Sequence, residues 1–411
     1  MNGAASYTAW GDPAIDQFVQ DLLNRAVQAV RAEMGTDLRA MLLAGGFGRG
    51  EGGVLRQPDG RLHIINDFDI ELVYREPLGR LPSKLWVQWR HRRRLAALAE
   101  QLATDFGMKQ VDLTMRGECS IAVREPKLSD FDAYHGHRLL WGDIDPIAQQ
   151  RVFAADEISP FEGTWLLRNR GIGLVLARLY LDLPGALRAE HRENFYIELN
   201  KSVLAAGDAL WILAGRYDVS YARRKAGFSE LAALGYPGYD TLRPLYDQAA
   251  EYKLRPVVDQ YPGMAPLELW QLVAALHVDF FLWHEGRRLG LRVTAVGDWS
   301  DWSLAQARPG NPAGALRRWL ERRLGITGHC PPSMAGMRHD RLASVACPLA
   351  LLAARTGVAV DDAWRVLARW PVEAGKATTE ARWTLLARGL LAALHPSGEV
   401  GRFLAATETR A

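Results

Sequence analysis

Leu38-Arg39-Ala40-Met41-Leu42-Leu43-Ala44 runs straight into Gly45-Gly46-Phe47-Gly48-Arg49-Gly50-Glu51-Gly52-Gly53, and Asn66-Asp67-Phe68-Asp69-Ile70-Glu71-Leu72-Val73-Tyr74 follows a Pro58-Asp59-Gly60 turn. The first run is a short apolar strand ended by glycines. The last alternates with period two, which predicts a strand over 66–74 with Phe68, Ile70 and Leu72 on a core face and Asp67, Asp69 and Glu71 on the other. The turn residues within Gln57–His63 predict a hairpin excursion between the two.

Upstream, Ile15, Val19, Leu22, Leu23, Ala26, Val27 and Val30 recur at helical spacing behind Asp12, so a capped amphipathic helix is expected over 13–34. Downstream, a Trp- and Arg-rich helix is expected from about Ser83 to Phe106, stopped by Gly107. A strand follows over 110–115, with Val111 and Leu113 inward and Asp112 and Thr114 opposite. Past about Asp145 the patterns are helical, over 164–181, 196–213 and 267–289. Two domains are therefore expected, 1–145 and an all-helical 146–411. The second has a possible split near 290–312, where Arg308–Pro312 carries Gly and Pro, and a further break at Gly328–Pro332.

With 48% hydrophobic and 24% charged residues in 411, the composition is globular rather than disordered. The net charge of +3 permits an acidic substrate without demanding nucleic acid. Cys119, Cys330 and Cys347 are too scattered for a disulfide framework or a zinc knuckle. No apolar run approaches a membrane span and no targeting segment is evident, so a cytoplasmic location and no membrane partner are expected.

The chemistry lies in the carboxylates. Side chains two apart on a strand share a face, so Asp67 and Asp69 converge, and Asp112 on a later strand can join them. Three clustered carboxylates repel one another unless a cation is intended. Mg²⁺ prefers such oxygens, and a pair of ions can activate an attacking hydroxyl while stabilising a leaving pyrophosphate. Glycines at 45 and 46 let backbone N–H groups approach phosphate.

In these motifs the chain resembles the nucleotidyltransferase superfamily with the DNA polymerase β-like fold, whose signature is a hydrophobic strand, Gly-Gly or Gly-Ser, an Asp-x-Asp strand and a later carboxylate. Leu42-Leu43-Ala44-Gly45-Gly46, Asn66-Asp67-Phe68-Asp69-Ile70 and Val111-Asp112-Leu113 match those parts in order. Gly45–Glu51 also resembles the glycine loop of the uridylyltransferases, and Leu139-Leu140-Trp141-Gly142-Asp143 the closing segment of aminoglycoside-type members. The resemblance covers roughly 38–145. It departs from the family in the longer stretch between Gly46 and Asp67, and in a glycine at 46 where many members have serine.

The resemblance implies an α+β fold, a polymerase β-like catalytic domain with a short mixed sheet followed by the helical domain. It implies transfer of a nucleoside monophosphate from an NTP to a hydroxyl acceptor, with release of pyrophosphate. Asp67 and Asp69 would bind two Mg²⁺ ions, or Mn²⁺ in their place, and Asp112 would help hold the ion that activates the acceptor. Gly45, Gly46 and Arg49 would bind nucleotide, joined by Lys201 as the basic residue of the helical domain. A small-molecule acceptor is expected, with RNA or protein as the alternative, and a non-catalytic nucleotide sensor is the reading from another class. The sequence leaves the NTP and the oligomeric state open.

Other motifs compete weakly. Gly48-x-Gly50-x-x-Gly53 matches a dinucleotide-loop pattern, but no helix pattern opens after it, and no Gly-Lys-Ser/Thr makes a Walker A. His191-Arg192-Glu193 and His339-Asp340 lack the partners of a kinase loop or a phosphohydrolase. Lys84 and Arg90–Arg94 read as a solvated helix face or a phosphate-binding one. Tyr217, Tyr221 and Arg223 form a polar-aromatic cluster that lines or caps a cleft.

Overall fold

The computed structural model describes residues 6–293, apart from 78, 122–125, 144, 149–152, 186–187, 189–190 and 258–259, together with Leu351, Thr384, Ala387, Arg388 and Leu391. The segments 308–312 and 328–332, His339-Asp340, Cys330 and Cys347 lie outside the described residues. The chain forms two compact units: Met1–Ser159 with Trp211–Leu231 and Tyr246–Pro262, and Pro160–Leu210 with Ala232–Leu245 and Gly263–Ala411.

In the first unit the elements run α1 (Pro13–Met34), β1 (Leu38–Leu43), α2 (Gly45–Arg49), β2 (Val54–Arg56), β3 (Leu62–Ile64), β4 (Phe68–Tyr74), α3 (Arg80–Phe106), β5 (Val111–Gly117), α4 (Leu128–Gly136) and β6 (Arg138–Trp141). Asp12 caps α1 by accepting from the Ala14 N–H at 2.9 Å, and Pro13 occupies the first turn, where its missing N–H costs nothing. Gly107 closes α3 with φ +63, the left-handed conformation that ends helices.

The sheet is mixed, in the order β5-β4-β1-β6. β1 is antiparallel to both neighbours, whereas β4 and β5 are parallel. A parallel pair needs a long crossover, and α3 supplies it. The hairpin expected between the glycines and the aspartate strand is present as β2 paired with β3.

Both faces of the sheet are covered. Phe68, Ile70 and Leu72 bury against α1 and α3 with Met41, Leu43 and Val111, while Val73, Ala40 and Leu42 pack with Ile121, Ala133 and Ile147 on the opposite face. A register shift between Leu38 and Ala40 sets the alternation of β1. Phe68 is fully buried, its ring edge-on to Phe47 at 4.8 Å, and so fixes the backbone between Asp67 and Asp69.

α7 (Tyr221–Gly227) also lies within this unit, after α5 (Phe161–Leu181) and α6 (Arg192–Leu213); α8 (Tyr239–Leu254) and α9 (Pro266–Leu289) follow. The second unit is helical over its described elements. There Trp270 of α9 donates to the Leu174 carbonyl of α5 at 2.8 Å, and His277 of α9 lies 2.8 Å from the Ser202 hydroxyl of α6. No helix among the described residues is long and apolar enough to cross a membrane.

The architecture is α+β with a small mixed sheet, as the sequence predicts. The glycine run differs from expectation: Gly45–Arg49 is a short helix rather than an open loop, ended by Gly50 at φ +79. With so many glycines a helix has low propensity, and packing of Phe47 against Phe68 supplies what propensity lacks.

Truncation of Phe68 tests this arrangement. Phe68→Ala should cost about 3–5 kcal/mol, against under about 1 kcal/mol for Leu139→Ala at a half-exposed position. Urea unfolding followed by Trp fluorescence measures both; equal losses would mean that Phe68 does not anchor the aspartate strand.

Candidate metal centre

The parallel register sets Asp69 directly beside Asp112, with Phe68 beside Val111 and Ile70 beside Leu113. Neighbours in register point to one face, so both carboxylates leave the sheet on the same side. Asp67 stands immediately ahead of β4 and contributes the third. One ligand oxygen from each of Asp67, Asp69 and Asp112 lies within 4.8 Å of the others. Asp67 is exposed, and the other two are half-buried.

Backbone contacts tie this cluster to the glycine turn. The Ala44 N–H donates to the Asp69 carbonyl at 2.8 Å, and the Asn66 side chain accepts from the Gly53 N–H at 3.0 Å. Gly45 has φ +62, and a Cβ there would lie 1.9 Å from Asp69 Oδ2. Only glycine fits between the turn and that carboxylate. A Cβ on Gly46 would sit 3.1 Å from the Glu51 carbonyl oxygen.

The electrostatics are those of a site short of positive charge. Burial, and then the neighbouring charges of Asp67 and Asp112, push Asp69 up to about 7, while the cationic Lys253 and Arg49 pull the other way. Asp112 is raised by burial and by Asp67, against the downward pull of a hydrogen bond from Gln110. An all-oxygen donor set on one face, crowded enough to hold back its own ionisation, fits a hard divalent cation.

Around Arg49 the wall is aromatic and acidic. Its guanidinium lies 3.8 Å from Asp132 and 5.9 Å from the centre of the Tyr221 ring. Asp132 also accepts from the Tyr217 hydroxyl at 3.1 Å. The polar-aromatic cluster expected from the sequence is therefore present in part: the buried cation over Tyr217 and Tyr221 is Arg224, at 4.6 and 3.8 Å, whereas Arg223 turns to Asp218 at 2.7 Å.

Asp67, Asp69, Asp112, Gly45, Gly46 and Arg49 thus belong to one unit; the three carboxylates come together with Gly45 against Asp69, and Arg49 acts on Asp69 through its charge. Lys201 lies on α6 in the other unit, where it pairs with Glu198 at 3.3 Å. Glu71 is held by Arg116 at 3.3 Å, outside the trio. Of the basic helix, Arg90 pairs with Asp37 at 3.4 Å and Arg94 with Glu33 at 3.7 Å. Sequence reasoning missed Lys253, Asp132, Arg224 and Glu51. Glu51 carried a signal in its place within the glycine run, between Gly50 and Gly52; the other three sit in helices with no motif around them.

No protein-family model and no curated protein sequence matches the chain. Among solved structures it overlaps spectinomycin adenyltransferase AAD(9) from Enterococcus faecialis, solved with ATP and spectinomycin, at 10% identity and a TM-score of 0.36, over 63% of this chain and 98% of that one. An overlap of that size does not bear on this chain's chemistry.

Two measurements follow from the geometry. Asp69 in the folded, cation-free protein takes up a proton that the unfolded chain, titrating near 3.8, has released. The stability it contributes is present below about pH 4 and is lost as pH rises through about 7, because the folded state binds more protons in between. In chelator, the wild-type Tm should therefore fall from pH 5 to 8 relative to Asp69→Asn, and divalent cation should restore it at the upper end. Parallel curves for the two proteins would remove the repulsive cluster.

Gly45→Ala and Gly60→Ala separate backbone strain from the site. Both glycines have positive φ, and no atom lies within 4 Å of a Cβ at Gly60. Gly60→Ala should lose about 1–2 kcal/mol from backbone strain alone and Gly45→Ala more, because its Cβ also meets Asp69, and only Gly45→Ala should lose cation binding by calorimetry. Equal cation affinity in both variants would contradict the close approach of Gly45 to Asp69.

Proposed function

We propose that the chain is a metal-dependent nucleotidyltransferase, moving a nucleoside monophosphate from an NTP to a hydroxyl group with release of pyrophosphate. The observation that carries this reading is the convergence of Asp67, Asp69 and Asp112 beside a glycine at which no side chain fits. Such a site costs folding energy, and a polyanionic substrate brought in with its cations gives that cost a use.

Asp67 and Asp69 would hold the divalent ions, Mg²⁺ by ligand type or Mn²⁺ in its place, with Asp112 sharing the ion nearer the acceptor. Bound there, the ions would neutralise the triphosphate and lower the pKa of the attacking hydroxyl. The backbone N–H groups of Gly45 and Gly46, with no side chain in the way, would receive phosphate oxygens. Arg49, with Lys253, adds positive charge on the side of Asp69. The chemistry is positioning and charge neutralisation, which needs no covalent intermediate.

The acceptor in this reading is a small hydroxyl compound. The net charge is only +3, and part of the basic run on α3 is already paired with Asp37 and Glu33, which leaves less of it for a polyanion. A cytoplasmic location goes with an NTP substrate.

The test uses each of the four NTPs labelled at the α-phosphate, with Mg²⁺, offered separately with small hydroxyl compounds, total RNA and protein. Label should pass to a small hydroxyl compound. Asp112→Asn should keep NTP affinity and lose roughly 10² to 10⁴ in rate, whereas Asp67→Asn and Asp69→Asn should lose both. Label passing only to RNA or protein would overturn the acceptor assignment. Absence of transfer to all three classes from every NTP, in a protein that binds cation, would overturn the reaction.

A further inference from the structure

Glu51 is a buried carboxylate, 6% exposed, that spends itself on a helix far along the chain. Its Oε1 accepts from the Ser220 hydroxyl at 2.7 Å and the Ala222 N–H at 3.2 Å, and its Oε2 from the Tyr221 N–H at 2.9 Å. Tyr221 and Ala222 open α7, so Glu51 satisfies two of the donors that a helix start leaves without partners. Ser220 takes the next, accepting from the Arg223 N–H at 3.2 Å. A buried carboxylate with three donors is well compensated, and removing it leaves those donors exposed to desolvation cost.

The main chain of the same residue closes the glycine turn. The Glu51 N–H donates to the Gly46 carbonyl at 2.8 Å, directly after Gly50 has reversed the backbone at φ +79. One residue therefore fastens the start of α7 to the end of α2. What α7 brings is the wall around Arg49: Tyr221 beside its guanidinium and Arg224 stacked over Tyr221, with Tyr217 just ahead of the helix holding Asp132.

We infer that Glu51 is a positioning residue, a latch through which the 217–224 segment fixes the glycine turn and the Arg49 side chain for nucleotide phosphate. The inference rests on the nucleotidyltransferase reading for its ligand, but the latch itself stands on contacts within one unit. It assigns Glu51 no contact with substrate.

Glu51→Gln, Glu51→Ala and Ser220→Ala test it in the full chain by two readouts. The first is hydrogen exchange of the amides of 45–50 and 220–224, which should quicken in both segments together in the Glu51 variants and less in Ser220→Ala. The second is calorimetric affinity for each of the four NTPs with Mg²⁺, set against affinity for Mn²⁺ alone. NTP affinity should fall by about tenfold in Glu51→Ala and less in Glu51→Gln, with Mn²⁺ affinity within about twofold of wild type. Should Glu51→Ala fail to fold, Glu51→Gln and Ser220→Ala carry both readouts. A lower Tm with unchanged exchange at 45–50, or with unchanged NTP affinity, would reduce Glu51 to a helix cap and overturn the inference. If the wild type binds no NTP, the nucleotide reading fails, and an exchange response at 220–224 alone would independently sink the latch.

Discussion

Three like charges on one face of a sheet are the constraint around which the first unit is arranged. Burial, and then repulsion from Asp67 and Asp112, hold Asp69 well above the ordinary carboxylate range, so the fold bears an electrostatic cost at this point. Crowding of this sort relaxes on a water-exposed loop. It persists here because Asp69 and Asp112 are neighbours in a parallel register, and because Phe68 is locked in the core between Asp67 and Asp69. The stability of the sheet is what keeps the carboxylates together.

The rest of the unit answers to that arrangement. α3 is long because it must carry the chain from the end of β4 back to the start of β5, and only that crossover sets Asp112 beside Asp69. The glycine turn comes close because nothing projects from Gly45. Positive charge is placed nearby: Arg49 is engaged with Asp132, and both Lys253 and Arg49 pull against the rise of Asp69.

Much of this was legible in the sequence, for physical reasons that differ by residue. The period-two alternation of Phe68, Ile70 and Leu72 marked the strand and put the aspartates on the other face. The Asp12 cap, the helical repeat behind it and the Gly107 stop bounded α1 and α3 closely. Pairing order and register were not legible, because period two says which face a residue takes and not which strand it meets. The helical turn at Gly45–Arg49 was hidden by its glycines, whose local preference opposes what the Phe47–Phe68 contact imposes. Contacts that join distant parts of the chain, such as Glu51 with Ser220 and Asp132 with Arg49, leave no periodic trace. The choice of Arg224 over Arg223 as the buried cation depended on the phase of a helix too short to show an amphipathic pattern.

The central claim is that Asp67, Asp69 and Asp112 form a divalent-cation site. It is tested most directly by anomalous diffraction from crystals of the wild-type chain grown with Mn²⁺ and NTP, measured at the manganese edge. The account predicts an anomalous peak within ligand distance of the three carboxylates, lost in Asp69→Asn. Anomalous density elsewhere and none at the trio, in crystals that hold the cation, would contradict it.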